Sequence, residues 1–377
     1  MPTANSLTDY PGGLYQVGSQ LYASKVQAIL KAEQVNDFPY FLFHDAEYSQ
    51  FNWQAEPVET LDQLYTARAQ ELREKYSYLV LHFSGGLDSA NILETFIKNK
   101  IPLDEIFIRG PYKATTKDMA DKTVENHYSE VYFQSVPVAQ LVKEAYLKHV
   151  KITICDTTDY TIDWFQTNPD WHESAIGGVA PNTVAKHDYD QINPDFVRLQ
   201  DQGHTVGHIL GIDKPMMHYE NNKFYVRFLD KIVSMFSGTP DLCCRGLNIE
   251  FFYWAKSTAK LICKQAHTVK NYFKITNLDP TRLNHGAGRE YHDQIGSLLY
   301  NRTIIPFLHK PAQKSQHNTL EFDLRYFFKD VNSDHVLNWN KGVDHLNQII
   351  PKKWMHGNTM ADNFLVGIWS KSYCIGE

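Results

Sequence analysis

The residues best suited to chemistry in this 377-residue sequence form one run, Leu81-His82-Phe83-Ser84-Gly85-Gly86-Leu87-Asp88-Ser89-Ala90. Within it, Ser84-Gly85-Gly86 carries almost no side-chain bulk. Glycines let a backbone turn tightly and leave its N–H groups pointing outward. Ser84 and Ser89 add hydroxyls to the same concavity. If a helix begins at Leu87, its unpaired N-terminal N–H groups and positive dipole end face the same way. Such a set is a cradle for an anion of pyrophosphate size. Asp88 alone would repel phosphate, and a carboxylate there makes sense if it holds Mg²⁺, which bridges phosphate oxygens. Any strand–Gly-Gly–helix turn needs glycines, but it does not need two serines and an aspartate at this spacing.

Positioning such a loop takes a strand before it and a helix after it. Tyr78 to Phe83 is a compact apolar strand, and Leu87 to Lys98 has helical periodicity with Ala90, Leu93, Phe96 and Ile97 inward. Pro102 and Asp104 turn the chain into a strand at Ile106-Phe107-Ile108. A polar helix over Thr116 to Asn126, a strand at Val131-Tyr132-Phe133, a helix over Val138 to Leu147 and a strand from Lys151 to Cys155 follow. After a stretch holding Gly177-Gly178, another strand is expected at Thr205 to Leu210. Repeated strand–helix–strand units argue for a parallel sheet covered on both faces. Upstream, Gly12-Gly13 opens a turn, Tyr22 to Ala32 is helical, Tyr40 to Phe43 is a short strand and Val58 to Tyr76 is a charged amphipathic helix. From about Ile232 the pattern changes: Ile249 to His267 reads as an aromatic-rich helix, followed by loops rich in Asn, His and basic residues, and then Pro351 to Tyr373. The expected fold is α/β: a doubly wound, mainly parallel five-stranded sheet with a mostly helical C-terminal domain. The expected parts are an accessory segment 1–75, a nucleotide domain 76–235 and a helical domain 236–377.

A second cluster follows from fold logic, because ligands of doubly wound sheets sit beyond the carboxyl ends of the strands. The strand through Val206 to Leu210 ends in Gly211-Ile212-Asp213-Lys214-Pro215. If its neighbour is the strand ending at Phe83, about 4.8 Å away, Asp88 and Asp213 can converge on one magnesium, and Lys214 can reach a phosphate. A turn closed by Pro215 with two solvated charges is the plainer alternative. Arg109, in Ile108-Arg109-Gly110, either reaches an α-phosphate or caps the sheet. Asp156 either faces a substrate or makes a turn. Lys264, Gln265, His267 and Lys270 either line a pocket or form a solvated helix face. Arg302, His309, Lys310, Lys314 and His317 either meet an anionic substrate or serve solubility.

The run Ser84-Gly85-Gly86-Leu87-Asp88-Ser89 resembles, at every defined position, the SGGxDS loop of the PP-loop ATP pyrophosphatase superfamily. That superfamily includes asparagine, NAD, GMP and argininosuccinate synthetases and the tRNA lysidine and thiouridine enzymes. The resemblance implies an adenine nucleotide alpha hydrolase-like fold, ATP and Mg²⁺ as cofactors, and cleavage of ATP to AMP and pyrophosphate. It implies that Ser84, Gly85, Gly86, Leu87, Asp88 and Ser89 bind the nucleotide, that Asp88 holds the metal, and that the strand end at Ile108 and Arg109 lies by the adenine. Gly211 and Asp213 are similar to the glycine-then-acid element of asparagine synthetases, which makes Asp213 a second metal contact. Asp88 and Lys214 are then the expected catalytic residues. In length and in the Tyr65-to-Ser89 lead-in, the chain also resembles asparagine-synthetase-like proteins of large tailed bacteriophages, which implies a host cytoplasm. Position 2 is Pro, no Cys precedes Cys155, and 75 residues are too short for a glutaminase domain. Glutamine hydrolysis is therefore not expected. The thiolation branch's paired cysteines and the zinc cysteine set of deazaguanine-nitrile synthases are not evident either. The expected activity is an AMP-forming carbon–nitrogen ligase acting on a carboxylate, amide or base carbonyl, with ammonia or an amine as attacking group. Its acceptor is an unidentified small molecule or nucleobase. The alternatives are a nucleic-acid base-modifying enzyme on the same scaffold and a nucleotide-binding module whose chemistry is lost, against which the intact Asp88 argues.

Composition narrows the classes further. With 43% apolar and 13% aromatic residues, the chain has ample core, which excludes a disordered protein. No apolar run approaches the roughly 18–20 residues that span a bilayer. Met1-Pro2-Thr3-Ala4-Asn5 shows no secretory signal, so a cytoplasmic setting without membrane association is expected. A net charge of -6 weakens a nucleic-acid substrate reading while leaving it open. The five cysteines include no C-x-x-C, and Cys243-Cys244 reads as buried apolar residues. Among 17 histidines there is no H-E-x-x-H, and Trp171-His172-Glu173 lacks the second His. His204 and His208 are expected to share one face of a strand in structural roles. No G-x-x-x-x-G-K-[ST] occurs, and Gly286-Ala287-Gly288 lacks the third glycine of a dinucleotide loop.

Overall fold

The structure is a computed structural model and describes residues 12–110, 134–174, 193–212, 214, 216–230, 248–285, 289–300, 303–305, 330, 332–355 and 365–377. Strands β1 (Leu14–Val17) and β2 (Gln20–Tyr22), helix α1 (Lys25–Val35) and strand β3 (Tyr40–Leu42) open the chain, with an antiparallel sheet in the order β2-β1-β3. Helices α2 (Asp45–Tyr48) and α3 (Leu61–Lys75) follow. Thr60 sets the start of α3: its hydroxyl accepts the Gln63 N–H at 3.2 Å, and the Gln63 side chain accepts the Thr60 N–H at 2.9 Å.

The central part runs β4 (Tyr78–His82), α4 (Leu87–Lys98), β5 (Glu105–Gly110), α5 (Val136–Ala145), β6 (Lys151–Asp156), α6 (Thr158–Thr167), α7 (Pro194–Asp201) and β7 (Val206–Leu210). Beyond it lie β8 (Met216–Glu220), β9 (Lys223–Arg227), β10 (Asn248–Phe251), α8 (Ala259–Thr276), α9 (Arg289–Leu299), α10 (Asp334–Ile349) and β11 (Tyr373–Gly376). The main sheet has the order β10-β7-β4-β5-β6 and every pairing in it is parallel. The protein is thus α/β with a five-stranded all-parallel sheet, two small antiparallel sheets and a partly helical C-terminal region.

Helices cover both faces of this sheet, as the buried Leu79-Val80-Leu81 of β4 requires. On one face, Phe196 of α7 packs edge-on to His208, with ring centroids 4.7 Å apart, and against Phe107 at 5.6 Å. On the other, Gly207 leaves room for the Tyr76 ring, which sits where a Cβ would be. There Glu250 of β10 accepts from Arg68 of α3 at 2.8 Å, from Lys75 at 2.6 Å and from Tyr76 at 2.5 Å. Burial pushes the Glu250 carboxyl up, but Arg68 and the Lys75 and Tyr76 hydrogen bonds bring it below its ordinary value.

Two expectations change at the C-terminal side. Asn248–Phe251 is a strand, and the helix expected from Ile249 begins only at Ala259. The apolar run Ile249 to Trp254 fits either element by pattern. Pairing with β7 and the Arg68–Glu250 ion pair decide for the strand, and the sheet therefore extends past residue 235. The tail, expected to be mostly helical, is partly so, because β11 pairs antiparallel with β9 to complete a sheet in the order β11-β9-β8. The expected helix over Thr116 to Asn126 and strand at Val131 to Phe133 lie outside the described residues. One buried cluster runs from Tyr15 to Ile375, joining the N-terminal sheet, the main sheet and the last strand. Among the described residues, no helix is long and apolar enough to cross a membrane.

From β4 the chain moves to β5 and then β6 on one side, whereas β7 and β10 lie on the other. Strand order therefore reverses between β4 and β7, and the carboxyl ends of those two strands flank a crevice where open α/β sheets take ligands.

Candidate functional site

The Ser84–Ser89 loop sits at that crevice. Phe83 donates its N–H to the Phe107 carbonyl at 3.0 Å, so sheet pairing holds the chain up to the loop's first residue. Gly85 adopts φ +78, a left-handed conformation that L side chains rarely take. A Cβ at Gly85 would also lie 2.6 Å from Ser135 Oγ and 2.9 Å from Gln134 Cγ. Ser135 Oγ donates to the Ser84 carbonyl at 2.5 Å, so the residues just before α5 brace the turn. Gly86 then starts α4 with φ -72 and ψ 172 and offers the helix no side-chain cap. Ser84 Oγ accepts from the Gly86 N–H at 3.3 Å and lies 3.2 Å from Ser89 Oγ. The loop thus presents an uncapped twelve-residue helix with two serine hydroxyls beside it.

The neighbouring strand end fits closely against this helix. A Cβ at Gly211 would lie 3.1 Å from the Ser89 backbone nitrogen and 3.3 Å from the Asp88 carbonyl carbon. Lys214, buried to 7% exposure, reaches back to Asp88, its Nζ at 3.1 Å from Oδ1 and 3.3 Å from Oδ2. The structure therefore brings Lys214 and Asp88 together as an ion pair at the head of α4. Gly211, Lys214 and the Ser84–Ser89 loop share one sheet edge. Asp213 lies outside the described residues, and so does its expected meeting with Asp88.

A wall of tyrosines completes the surroundings of Asp88. Tyr300, just after α9, donates to Asp88 Oδ1 at 2.5 Å. Tyr253 donates to the Asp88 carbonyl at 2.9 Å and accepts from Asn91 Nδ2 at 3.0 Å. The Tyr253 and Tyr300 rings stack with centroids 5.6 Å apart, and Lys214 Nζ lies 5.7 Å from the Tyr300 ring centre. Burial above all, and then the Asp88 charge, raises the Tyr300 hydroxyl well above the ordinary phenol range. Tyr253 is raised too, by burial, then Tyr65 and Asp88. Both therefore stay protonated donors near neutrality. Sequence reading missed this wall, because no local signal ties Tyr300 to a residue 212 positions earlier.

Ile108 is fully buried and Arg109 half-buried at the end of β5, on the side of β4 away from β7. Beneath them His82 Nε2 and His208 Nδ1 lie 3.1 Å apart. Burial, then the Arg109 charge, pushes His208 down to about 3. His82 is lowered by burial, then by His208 and Arg109. This buried imidazole pair is neutral at physiological pH. His204 precedes β7 instead of sharing its face, and its ring nitrogen lies 3.3 Å from Ser77 Oγ.

The other candidates separate. Asp156 accepts the Thr158 N–H at 2.9 Å, which is the turn role. Lys264 bonds Glu56 at 2.7 Å, Gln265 bonds Tyr65 at 3.1 Å, His267 meets the Trp53 carbonyl at 3.0 Å and Lys270 bonds the Ile375 carbonyl at 2.9 Å. These residues tie α8 to the N- and C-terminal segments, and Gln265 does so through Tyr65, whose ring lies against Tyr253 and Tyr300. Arg302, His309, Lys310, Lys314, His317, Cys243, Cys244 and Gly286 to Gly288 lie outside the described residues. Among the described residues, no three His, Cys, Asp or Glu side chains gather as a metal-ligand group. Chemically, the site offers backbone N–H groups, hydroxyls and an ammonium to an anion, and one carboxylate to a cation. No protein-family profile and no curated protein matches the chain.

Proposed function

We propose that the protein is an ATP- and Mg²⁺-dependent adenylating enzyme of the PP-loop ATP pyrophosphatase class, which splits ATP into AMP and pyrophosphate. The observation that carries this reading is the place of Ser84-Gly85-Gly86-Leu87-Asp88-Ser89, at the carboxyl end of β4 where the strand order reverses, ahead of an uncapped helix. The strand order β10-β7-β4-β5-β6 supports a doubly wound, adenine nucleotide alpha hydrolase-like sheet. The residues present also fit the cofactors. Gly85 turns the backbone through a left-handed φ of +78 and Gly86 puts no side chain at the start of the helix, and Asp88 beside them is the carboxylate a magnesium needs.

In this reading the loop N–H groups and the serine hydroxyls hold the departing pyrophosphate, with Lys214 adding charge where negative charge grows. Asp88 holds the magnesium, with Asp213 as its second candidate ligand. When bound, the metal neutralises phosphate oxygens and makes pyrophosphate a better leaving group. A carboxylate, amide or base carbonyl oxygen of the acceptor attacks the α-phosphorus. The bond from that phosphorus to the α–β bridging oxygen breaks, and its electron pair leaves on pyrophosphate. Ammonia or an amine then displaces AMP, as in an asparagine-synthetase-like ligase.

The test is ATP–pyrophosphate exchange by the purified chain with panels of acids, amides, nucleobases and tRNA. Mg²⁺-dependent exchange with one acceptor class supports the reading. Stoichiometric ADP and phosphate refute it, and nucleotide binding without exchange under any acceptor points instead to a binding module. Exchange that needs tRNA and weakens steeply with salt identifies a nucleic-acid acceptor.

A further inference from the structure

We infer that Tyr300 is a positioning residue of this site: its hydroxyl fixes Asp88 through Oδ1, while Lys214 is the exchangeable partner of the same carboxylate. The inference rests on the reading of Asp88 as a metal-holding group. Lys214 reaches both carboxylate oxygens, at 3.1 and 3.3 Å, whereas Tyr300 touches Oδ1 alone. An ammonium on a flexible four-carbon stem can move from a carboxylate to an arriving polyphosphate. When it does, Oδ1 keeps its phenol donor and Oδ2 becomes available to a cation.

The placement of Tyr300 is built in from several directions. Its N–H bonds the Gly296 carbonyl at 3.0 Å. The carbonyl of Leu299, one residue earlier, accepts from the Tyr65 hydroxyl of α3 at 3.1 Å. Just beyond it, the Thr303 and Ile305 N–H groups bond the Glu94 carboxylate on α4, the latter at 3.0 Å. Gly296 lets α9 press on the loop helix, since a Cβ there would lie 2.7 Å from Leu87 Cδ1 and 3.3 Å from Lys214 Cε. The segment carrying Tyr300 is thus clamped to the helix that carries Asp88, and Tyr253 holds the backbone carbonyl of the same aspartate. A carboxylate with one oxygen tied has a fixed plane, so less freedom is lost when a metal takes the other oxygen.

The experiment uses full-length Tyr300→Phe, which keeps the ring stacked on Tyr253 and removes only the hydroxyl. Mn²⁺ binding in the presence of α,β-methylene-ATP is read by electron paramagnetic resonance of the free ion, beside a thermal melt. Loss of a group that orients a metal ligand weakens metal binding by about 10-fold or more. The expected result is therefore an Mn²⁺ dissociation constant about 10-fold higher, with unchanged affinity for the analogue without metal. In the exchange reaction the KM for Mg²⁺ should rise in step, while kcat at saturating Mg²⁺ holds. A residue that only stabilised the fold would lower the melt without this split. If Tyr300→Phe does not fold, Glu94→Gln carries the same readout, because it loosens the Thr303 and Ile305 anchor beside Tyr300 at a residue outside the nucleotide site. Unchanged Mn²⁺ affinity in the variant that folds overturns the role of Tyr300 alone. A wild-type chain that binds the analogue but no Mn²⁺ overturns the metal reading of Asp88, and this inference with it.

Discussion

Replacing Gly85 by Ala tests whether the loop's backbone, and not merely its composition, makes the site. At φ +78 an alanine suffers the left-handed penalty of about 1–2 kcal/mol. Its methyl would sit 2.6 Å from Ser135 Oγ, and the easiest relief is to turn that hydroxyl away. Doing so breaks its bond to the Ser84 carbonyl, a loss of about 1 kcal/mol. Gln134 Cγ at 2.9 Å and the Ser135 nitrogen at 3.1 Å would still be crowded. If the loop keeps its shape, Gly85→Ala should destabilise the fold by about 3 kcal/mol, read as a lower urea midpoint with unchanged slope. If the loop instead relaxes to negative φ, stability falls less and ATP affinity, read by calorimetry, falls sharply. Adding Ser135→Ala removes the closest contact but not the backbone strain. The double variant should therefore be less damaged than the two single losses together, by about 1 kcal/mol. A Gly85→Ala protein with wild-type midpoint and wild-type ATP affinity would refute the reasoning.

Asp88→Asn should fold with a stability loss of about 1–3 kcal/mol, because the nearly buried Lys214 loses its carboxylate; activity should fall by orders of magnitude, with partial rescue at high Mg²⁺, and retained exchange at low Mg²⁺ would speak against a metal role. Glu250→Gln should lower stability by about 3 kcal/mol in urea, since it leaves Arg68 buried without its best partner, and a change under about 0.5 kcal/mol, the size expected of an ordinary surface substitution, would contradict that. For the histidine pair the sign follows from proton uptake. The unfolded chain binds a proton at His208 below its ordinary value near 6.5, whereas the folded chain does so only near 3. Stability contributed by this group is therefore complete above 6.5 and falls as pH drops through that window, by about 2 kcal/mol between pH 6.5 and 5. His82, lowered by the same burial, keeps its own share, so His208→Asn should make the fall in melting temperature over that range shallower, and an equally steep fall in the variant would assign the effect elsewhere.

The local parts of the site are legible in the amino-acid string. Leu87–Lys98 forms the helix its apolar spacing predicts, and β4 ends where Ser84-Gly85-Gly86 begins. Both depend on neighbours a few residues away: periodicity, a glycine turn and a buried strand. Asn248–Phe251 was misread because a short apolar run is a strand or a helix according to what pairs with it, and its partner β7 lies about forty residues back. Lys214 was visible as a cation at a strand's carboxyl end, but its grip on Asp88 depends on β4 and β7 being neighbours. Tyr300 had no sequence signal of its own. The small Gly296 one turn earlier is meaningful only once Leu87 and Lys214 are known to lie against it.

The clamp between the Tyr300 segment and α4 also orders events in time. The Ser84–Ser89 loop, its strand and its helix can form while the chain is still being made, since the pairing strand β5 and the brace at Ser135 follow within about fifty residues. The hydroxyl that holds Asp88 arrives 212 residues later, which at about 5–20 residues per second is ten to forty seconds of synthesis. Contacts of such long sequence separation form late and slowly. During that interval a nascent chain can carry a formed glycine loop but cannot yet hold its aspartate in place. Completion of the site is thereby tied to delivery of the C-terminal third, and a chain that stops before residue 300 keeps the motif and lacks the assembled centre.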